Sequence, residues 1–549
     1  MPATIDSNKT NLTYAEEASL KVLPTTPVWY PLEPNTYASF GGDLKTTPRE
    51  PINASRQRAK GTVTDLDVSA GFNLDFVQNQ ITRLLQGFFF STAREKFATQ
   101  PLNGTQVPVT SVLATSGPTI QNFNAANGLT PLVGAIVKSE GFGKNANNTL
   151  SRVTISTAAK VTAVSHLANK PAHALVDEPA PPSTARLRVV GFALSGDVKL
   201  YGPGSTFGGG PVIQPFLSSA TLNFTTLGLI PGEWVYLGDS TDSLADTGAT
   251  EFNFIGTGNV RCRGFCRIGS ITATQLTFDI SIGSDAWALS GTGDGSIAIG
   301  ASAYVSLFFG TVIRNEPAVA DIIRRTYTLQ RYLGKGVGNQ DNLESVSGAI
   351  PDQFTLNMAS NSKLDCDMSF VAMDTAQQYT ASLPGTYSAL SRETAYNTSQ
   401  DVYAMLLYII NTAATTQAPL FGYATDEKLT INNNASVNKA IGVVGGFEGT
   451  VGNFDVSGTL TCYFDDIAAQ QAVRNNADVG LTNIFAKQNE GFLIDLPLLT
   501  LGLNGLKVEK DKPIMADITQ TASPGAQNYT ALYNKFHYLP DSAMANYKG

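Results

Sequence analysis

Four cysteines, three histidines and two groups of aspartates are the residues whose types and spacing invite a chemical reading. Cys262 and Cys266 have C-x3-C spacing, but no second Cys or His pair follows at zinc-ribbon distance, and alternation along residues 259–268 turns both sulfurs to one sheet face. They read as small thiols of a strand, and Cys366 and Cys462 stand alone. His166, His173 and His537 are scattered, with no H-E-x-x-H and no carboxylate at ligand spacing. Asp239, Asp242 and Asp246 form an acidic loop of the kind that holds Ca²⁺, yet their spacing matches no EF-hand, so a solvated loop is expected. Asp465 and Asp466 are a carboxylate pair at a helix start, where the dipole favours acids. The glycine-rich runs 202–210 and 334–338 lack the lysine followed by Ser/Thr of a phosphate loop, and no Gly-x-Ser-x-Gly elbow occurs. The catalytic case is empty. No enzyme activity, metal or cofactor is expected, and the chain reads as a structural protein.

The bulk properties agree with that reading. At 549 residues, 42% of them hydrophobic and 15% charged, the chain exceeds the roughly 250–300 residues at which one core stops growing, so several domains are expected. A net charge of −8 disfavours nonspecific attraction to nucleic acid. Asp6 and other polar residues follow Met1 where a secretory signal would carry basic and then apolar residues. The longest candidate membrane stretch, residues 403–410, falls far short of the roughly 20 residues that a span needs.

The elements that would position any site are organised around a stretch that occurs twice. Residues 61–76 and 449–464 align without a gap at Gly61/Gly449, Thr62/Thr450, Val63/Val451, Asp67/Asp455, Val68/Val456, Ser69/Ser457 and Phe76/Phe464, which argues for an internal duplication. In both, apolar and polar residues alternate, so each predicts a strand pair with one dry and one wet, acidic face. Ile81, Leu84, Leu85 and Phe88 then fall at i, i+3, i+4 and i+7, the spacing of an amphipathic helix. Ile467, Ala468, Ala472 and Val473 repeat that signal more weakly after the second copy.

Taken in order, residues 1–35 are broken by Pro24, Pro27, Pro31 and Pro34 and read as a disordered tail or an extended arm, with Trp29 and Tyr30 favouring the arm. Arg56, Arg58 and Lys60 form a basic cluster, either a phosphate patch or, preferred here, a charged strand end or subunit-interface partners for carboxylates. Residues 110–310 interrupt the pattern with Gly/Ser/Thr-rich strands that look duplicated themselves, since 128–137 parallels 228–237; they read as one or two β modules inserted into a loop of the first repeat. The expected division is an arm (1–35), a first repeat (36–109 and 311–390), the insertion (110–310), a second repeat (391–540) and a tail (541–549).

The order Arg56-Gln57-Arg58-x-Lys60-Gly61, the Val-Ser strand, the helix ending in Leu84-Leu85, Arg324-Arg325-Thr326-Tyr327-Thr328-Leu329-Gln330 after an insertion, and Leu429-Thr430-Ile431-Asn432-Asn433 ahead of Gly449-Thr450-Val451 resembles the major tail tube proteins of long-tailed bacteriophages, in particular the subgroup with two tube folds in one chain. The likeness covers roughly 38–92 and 314–539. It implies a mainly β chain, with two tandem tail-tube folds whose barrel-forming sheets each carry a packed helix, plus the inserted β modules. It also implies homotrimeric, pseudo-hexameric rings stacked into a hollow conduit for DNA. The partners implied are further copies of the chain, the tape measure protein, and tail terminator or baseplate proteins. The resemblance further implies that genomic DNA passes without specific binding, that no membrane is involved, and that the protein belongs to the virion tail, assembled in the host cytoplasm.

Beside this, the alternation supplies an expectation for the channel. If the polar face looks inward, Asp65, Asp67, Asp75 and Asp455 line it and repel phosphate; the same face turned to solvent or onto a neighbouring ring is the open alternative. The arm would tie one ring to the next through Trp29 and Tyr30, and the insertion would project outward. The other readings are a different virion structural protein, of the baseplate or a decoration, and a carbohydrate-binding β protein using Trp234, Trp287 and the loop at Asp239.

Overall fold

Alternation along the first copy produces one uninterrupted strand where the pattern alone predicts a strand pair. Leu66, Val68, Ala70, Phe72 and Leu74 are buried on one side, and Asp65, Asp67, Ser69, Asn73 and Asp75 lie on the other. The computed structural model describes residues 5–50, 52, 54–99, 106–113, 120–165, 176–238, 252–254, 260–282, 295–299, 304–411, 417, 419–464, 467–487 and 489–540. His166, His173, Asp239, Asp242, Asp246, Trp287, Asp465, Asp466 and the tail 541–549 lie outside the described residues.

Outside the insertion the chain runs β1 (Asn11–Glu16), β2 (Val28–Leu32), β3 (Pro34–Arg49), β4 (Ala59–Asp75) and α1 (Gln78–Phe88). After it come β5 (Thr311–Arg314), β6 (Tyr327–Lys335), β7 (Asp341–Ala359), β8 (Asp365–Ala372) and β9 (Asp374–Gln378). The rest is β10 (Val402–Ile409), β11 (Ala424–Asn432), β12 (Asp455–Tyr463), α2 (Ala468–Arg474), β13 (Val479–Lys487), β14 (Glu490–Lys507), β15 (Met515–Ser523) and β16 (Leu532–Phe536).

Hydrogen bonding orders an eight-stranded antiparallel sheet as β3-β4-β8-β7-β11-β12-β15-β14. The order is one four-strand pattern written twice. In each half the fourth strand is long enough to serve two sheets. The first part of β7 pairs with β6 and β9 and its last part with β8 and β11, while the first part of β14 pairs with β13 and β16 and its last part with β15. The apolar face of the eight strands packs on α1, whose Ile81, Leu84, Leu85 and Phe88 are buried as their spacing predicts. The helix α2 has seven residues and buries only Ala469 and Ala472.

The proline-broken N-terminal segment belongs to the chain's own sheet. β1 pairs with β2 and with β6, and Glu17, buried behind it, accepts hydrogen bonds from the Thr326 and Thr328 hydroxyls and the Gly348 amide.

The insertion folds around a single core as a sheet of two topologically alike halves. The first half is 111–113, 120–124, 135–140, 150–157, 160–165 and 186–194; the second is 199–201, 216–218, 234–238, 264–271, 275–282 and 305–308. Each half has the spatial order first, second, fifth, fourth, third, sixth, and the two sixth strands pair antiparallel at the centre. Although it leaves the chain after α1, the module docks on the second half. Trp234, Tyr236 and Phe265 pack against Tyr403, Tyr529 and Phe536, with the Phe265 ring centroid 4.9 Å from Tyr403 and 5.5 Å from Phe536. β5, expected in the first repeat, pairs with β16. One buried ion pair crosses the seam, Arg267 to Asp495 at 3.3 Å, with Arg267 also held by Asp279 of the insertion at 3.0 Å; Lys96–Glu233, buried at 2.7 Å, ties the segment after α1 to the insertion.

Candidate assembly surface and channel face

Among the described residues no element packs over the wet face of the eight-stranded sheet, and strand period two brings its polar residues together. A ladder of amides and carboxylates crosses four strands. Asn357 on β7 and Asn73 on β4 each donate to both Asp365 and Asp367 on β8, at 2.8–2.9 Å, and Asn35 donates to Asn73 at 3.0 Å and Asp75 at 2.6 Å. Asp365 and Asp367 were legible in the sequence as the residues alternating with Leu364, Cys366 and Met368.

The four aspartates expected on this face are on it, but not as a bare acidic wall. Lys439, from the hairpin between β11 and β12, donates to Asp65 at 2.5 Å and also to Asp67, and Lys45 on β3 pairs with Asp67 and lies 3.8 Å from Asp65. Hydrogen bonds from Lys439 hold both carboxyls below the usual range, with Lys45 adding to the effect at Asp67. Asp75 pairs with Lys363 at 2.6 Å, and Asp455 accepts from Asn434 at 2.7 Å. Three of the four therefore have a lysine partner. The lysines come from other elements than the strands of the repeated pattern, which is why the alternation did not reveal them.

Two edges of the sheet stay open. Among the described residues, β3 pairs only with β4, and the last part of β14 pairs only with β15. The two ends of the strands are apolar. Leu44, Ile52 and Val63 on the β3–β4 hairpin and Ile441, Val443, Val444 and Phe447 on the β11–β12 hairpin are exposed at one end; Tyr423, Tyr463, Val508 and Ile514 are exposed at the other.

The basic cluster lies at the β3–β4 hairpin tip. Arg58 pairs with Glu50 of the same hairpin at 3.0 Å, Arg56 has φ +56°, and Lys60 is exposed. Trp29 and Tyr30 both pack against their own chain, Trp29 fully and Tyr30 in part. Trp29 is fully buried, stacked on Tyr387 at 6.0 Å with its indole N–H donating to Pro384 O at 3.1 Å, and Arg83 lies over the Tyr30 ring at 4.3 Å. Gly385, at φ +145°, admits the indole; a Cβ there would meet Trp29 Nε1 at 2.7 Å.

Cys266, Cys366 and Cys462 are buried, and the half-buried His537 lies 2.8 Å from the Thr311 hydroxyl, where desolvation pushes its pKa far down. Among the described residues no group of three His, Cys, Asp or Glu side chains is placed to hold a metal ion. No helix among them is long and apolar enough to cross a membrane.

Among the described residues the sheet is thus wet on one face, apolar where it packs on a helix, and open at both flanks. The profile of the phage tail tube protein family matches residues 7–522, nearly the whole length. The chain belongs to that family. It is a mainly β structural component of a phage tail, and the family implies self-assembly into a tube. In this tail tube protein the matched range runs through the insertion as well as both halves of the eight-stranded sheet. No curated relative matches the tail tube protein's chain.

Proposed function

We propose that the chain is two tube folds in tandem and that three copies close a ring whose inner wall is one continuous barrel. The observation that carries this reading is the β7·β11 seam, where the sheet of the first half joins that of the second through antiparallel pairs such as Phe354↔Ile431 and Leu356↔Leu429. β14 occupies in the second half the place of β7, and β3 in the first half the place of β11. The open edge of β14 is thus the natural partner of the open edge of β3 on the next chain.

The register follows from the matching pairs. Phe354↔Met368↔Phe72 in the first half corresponds to Leu503↔Ile518↔Leu460 in the second, and Ile431↔Val456 corresponds to Gly42↔Val68. Leu503 then lies opposite Gly42 of the next chain, and Leu501 opposite Leu44. Eight strands from each of three chains give a barrel of twenty-four, which leaves no exposed edge.

In this ring the polar face lines the channel, and DNA slides over carboxylates and amides already engaged with one another. The tape measure protein would occupy the channel before DNA. The arm has no part in stacking, because Trp29 is spent inside its own chain; the apolar hairpin tips at one end meet the tyrosines at the other.

Electron microscopy of the purified full-length protein tests this. Stacked hollow rings of three chains with a six-fold-like wall are expected. Rings of six chains, or monomers that persist at high concentration with β3 and β14 solvent-accessible by hydrogen exchange, would overturn it.

A further inference from the structure

We propose that Lys535 and Asn79 become joined by an intramolecular isopeptide bond, formed without any cofactor and with Glu393 as the proton-transferring group. The Lys535 and Asn79 side chains meet where the first turn of α1 lies over the outer sheet of the second half, and Glu393 reaches the Asn79 backbone beside them. Lys535 sits on β16 between Thr311 of β5 and Phe492 of β14, and is 5% exposed. Its Nζ donates to Asn79 Oδ1. Among the described residues, no carboxylate comes within ion-pairing distance of it. Glu393 Oε2 accepts the backbone N–H of Asn79 at 3.3 Å, so the carboxyl borders the same amide-bearing residue.

The electronic state of each group suits the reaction. Desolvation pushes the Lys535 ammonium down to about 8, which leaves about a tenth of it as the neutral amine at pH 7. Burial, with Glu490 adding negative charge nearby, holds the Glu393 carboxyl above its usual range. The other charges in the surroundings are Lys487, ion-paired with Glu490 at 3.2 Å, and the more distant Arg188 and Glu140.

The atoms balance as follows. The lone pair of neutral Nζ attacks Asn79 Cγ and forms the Nζ–Cγ bond, while the carbonyl oxygen takes up charge stabilised by the Glu393 proton. A proton lost from Nζ passes through Glu393 to Nδ2, the Cγ–Nδ2 bond breaks, and ammonia leaves. An amine and a carboxamide become a secondary amide plus ammonia, with nothing oxidised or reduced. Asn79 is exposed on its outer side, which gives the ammonia a way out. The bond would close a loop across 456 residues, from the first helix to the last strand.

Intact-mass spectrometry of the full-length protein decides the matter. The expected mass is that of the sequence less one ammonia, with a branched tryptic peptide containing both Asn79 and Lys535. Glu393→Gln, at a half-buried position that folding tolerates, and Lys535→Arg are expected to restore the full sequence mass and abolish the branched peptide. Asn79→Asp is expected to condense with loss of one water. Wild-type protein that keeps its full sequence mass after prolonged incubation, with both residues recovered in linear peptides, would overturn the proposal whatever the variants do.

Discussion

Phe354 on β7 and Ile431 on β11 face one another across the seam where the first half's sheet passes into the second's. The chain thus contains within itself a sample of the contact proposed to close the ring, with direction and register specified.

The first prediction uses that register. Leu44→Cys combined with Leu501→Cys places two thiols opposite one another on neighbouring chains, at the about 4.5–5.5 Å Cβ separation of directly paired residues. Oxidation of assembled protein should yield covalent dimers and trimers and nothing larger, while either single variant yields neither. Absence of cross-linked trimers from oxidised rings would reject the register.

Channel charge gives the second. Asp65→Asn with Asp67→Asn removes the carboxylates that engage Lys45 and Lys439 and leaves two lysines free on the wet face. Tubes should still assemble. DNA ejection should slow, and added salt should relieve the slowing, because lysine attraction to phosphate is screened. Ejection kinetics measured across a salt series check both parts.

Glu427 supplies a dependence on pH. It is buried on the apolar side of β11 with Asn483 donating to Oε2 at 3.0 Å, and desolvation raises its carboxyl to about 7. Because the folded-state value lies above the unfolded one, the folded chain holds the proton longer, and stability falls as pH rises from about 4 to about 7, then levels off. Glu427→Gln should flatten that slope and raise stability at pH 8 by about 1–3 kcal/mol, read from denaturant midpoints at several pH values.

The docked insertion gives the last. Phe265→Ala empties the aromatic contact with Tyr403 and Phe536 and should cost about 3–5 kcal/mol. Loss of a single cooperative transition, with the insertion becoming protease-sensitive first, is the expected signature in limited proteolysis and calorimetry.

What could be read from sequence was local. The alternation from Leu66 to Leu74 gave the buried and wet faces of β4, and Ile81, Leu84, Leu85 and Phe88 gave α1, because each pattern repeats within a few residues. The partners of those elements were out of reach. β1 pairs with β6 more than 300 residues later, and no period in 1–35 records that, so its prolines and aromatics suggested an extended arm lying on a neighbouring ring. Lys439 finds Asp65 across 374 residues, and the insertion's choice of the second half depends on shape at Phe265 and Trp234 that composition does not carry.

The long strands β7 and β14, each shared between an inner and an outer sheet, bear on how the assembled tail withstands force. A wall of two layers held together only by side-chain packing can shear, one layer sliding over the other as the tube flexes. Here the same covalent backbone runs through both layers twice in every chain, so shear has to stretch peptide bonds. In the proposed assembly, bending would then fall to the joints between rings, with the bore keeping its cross-section as the tail curves.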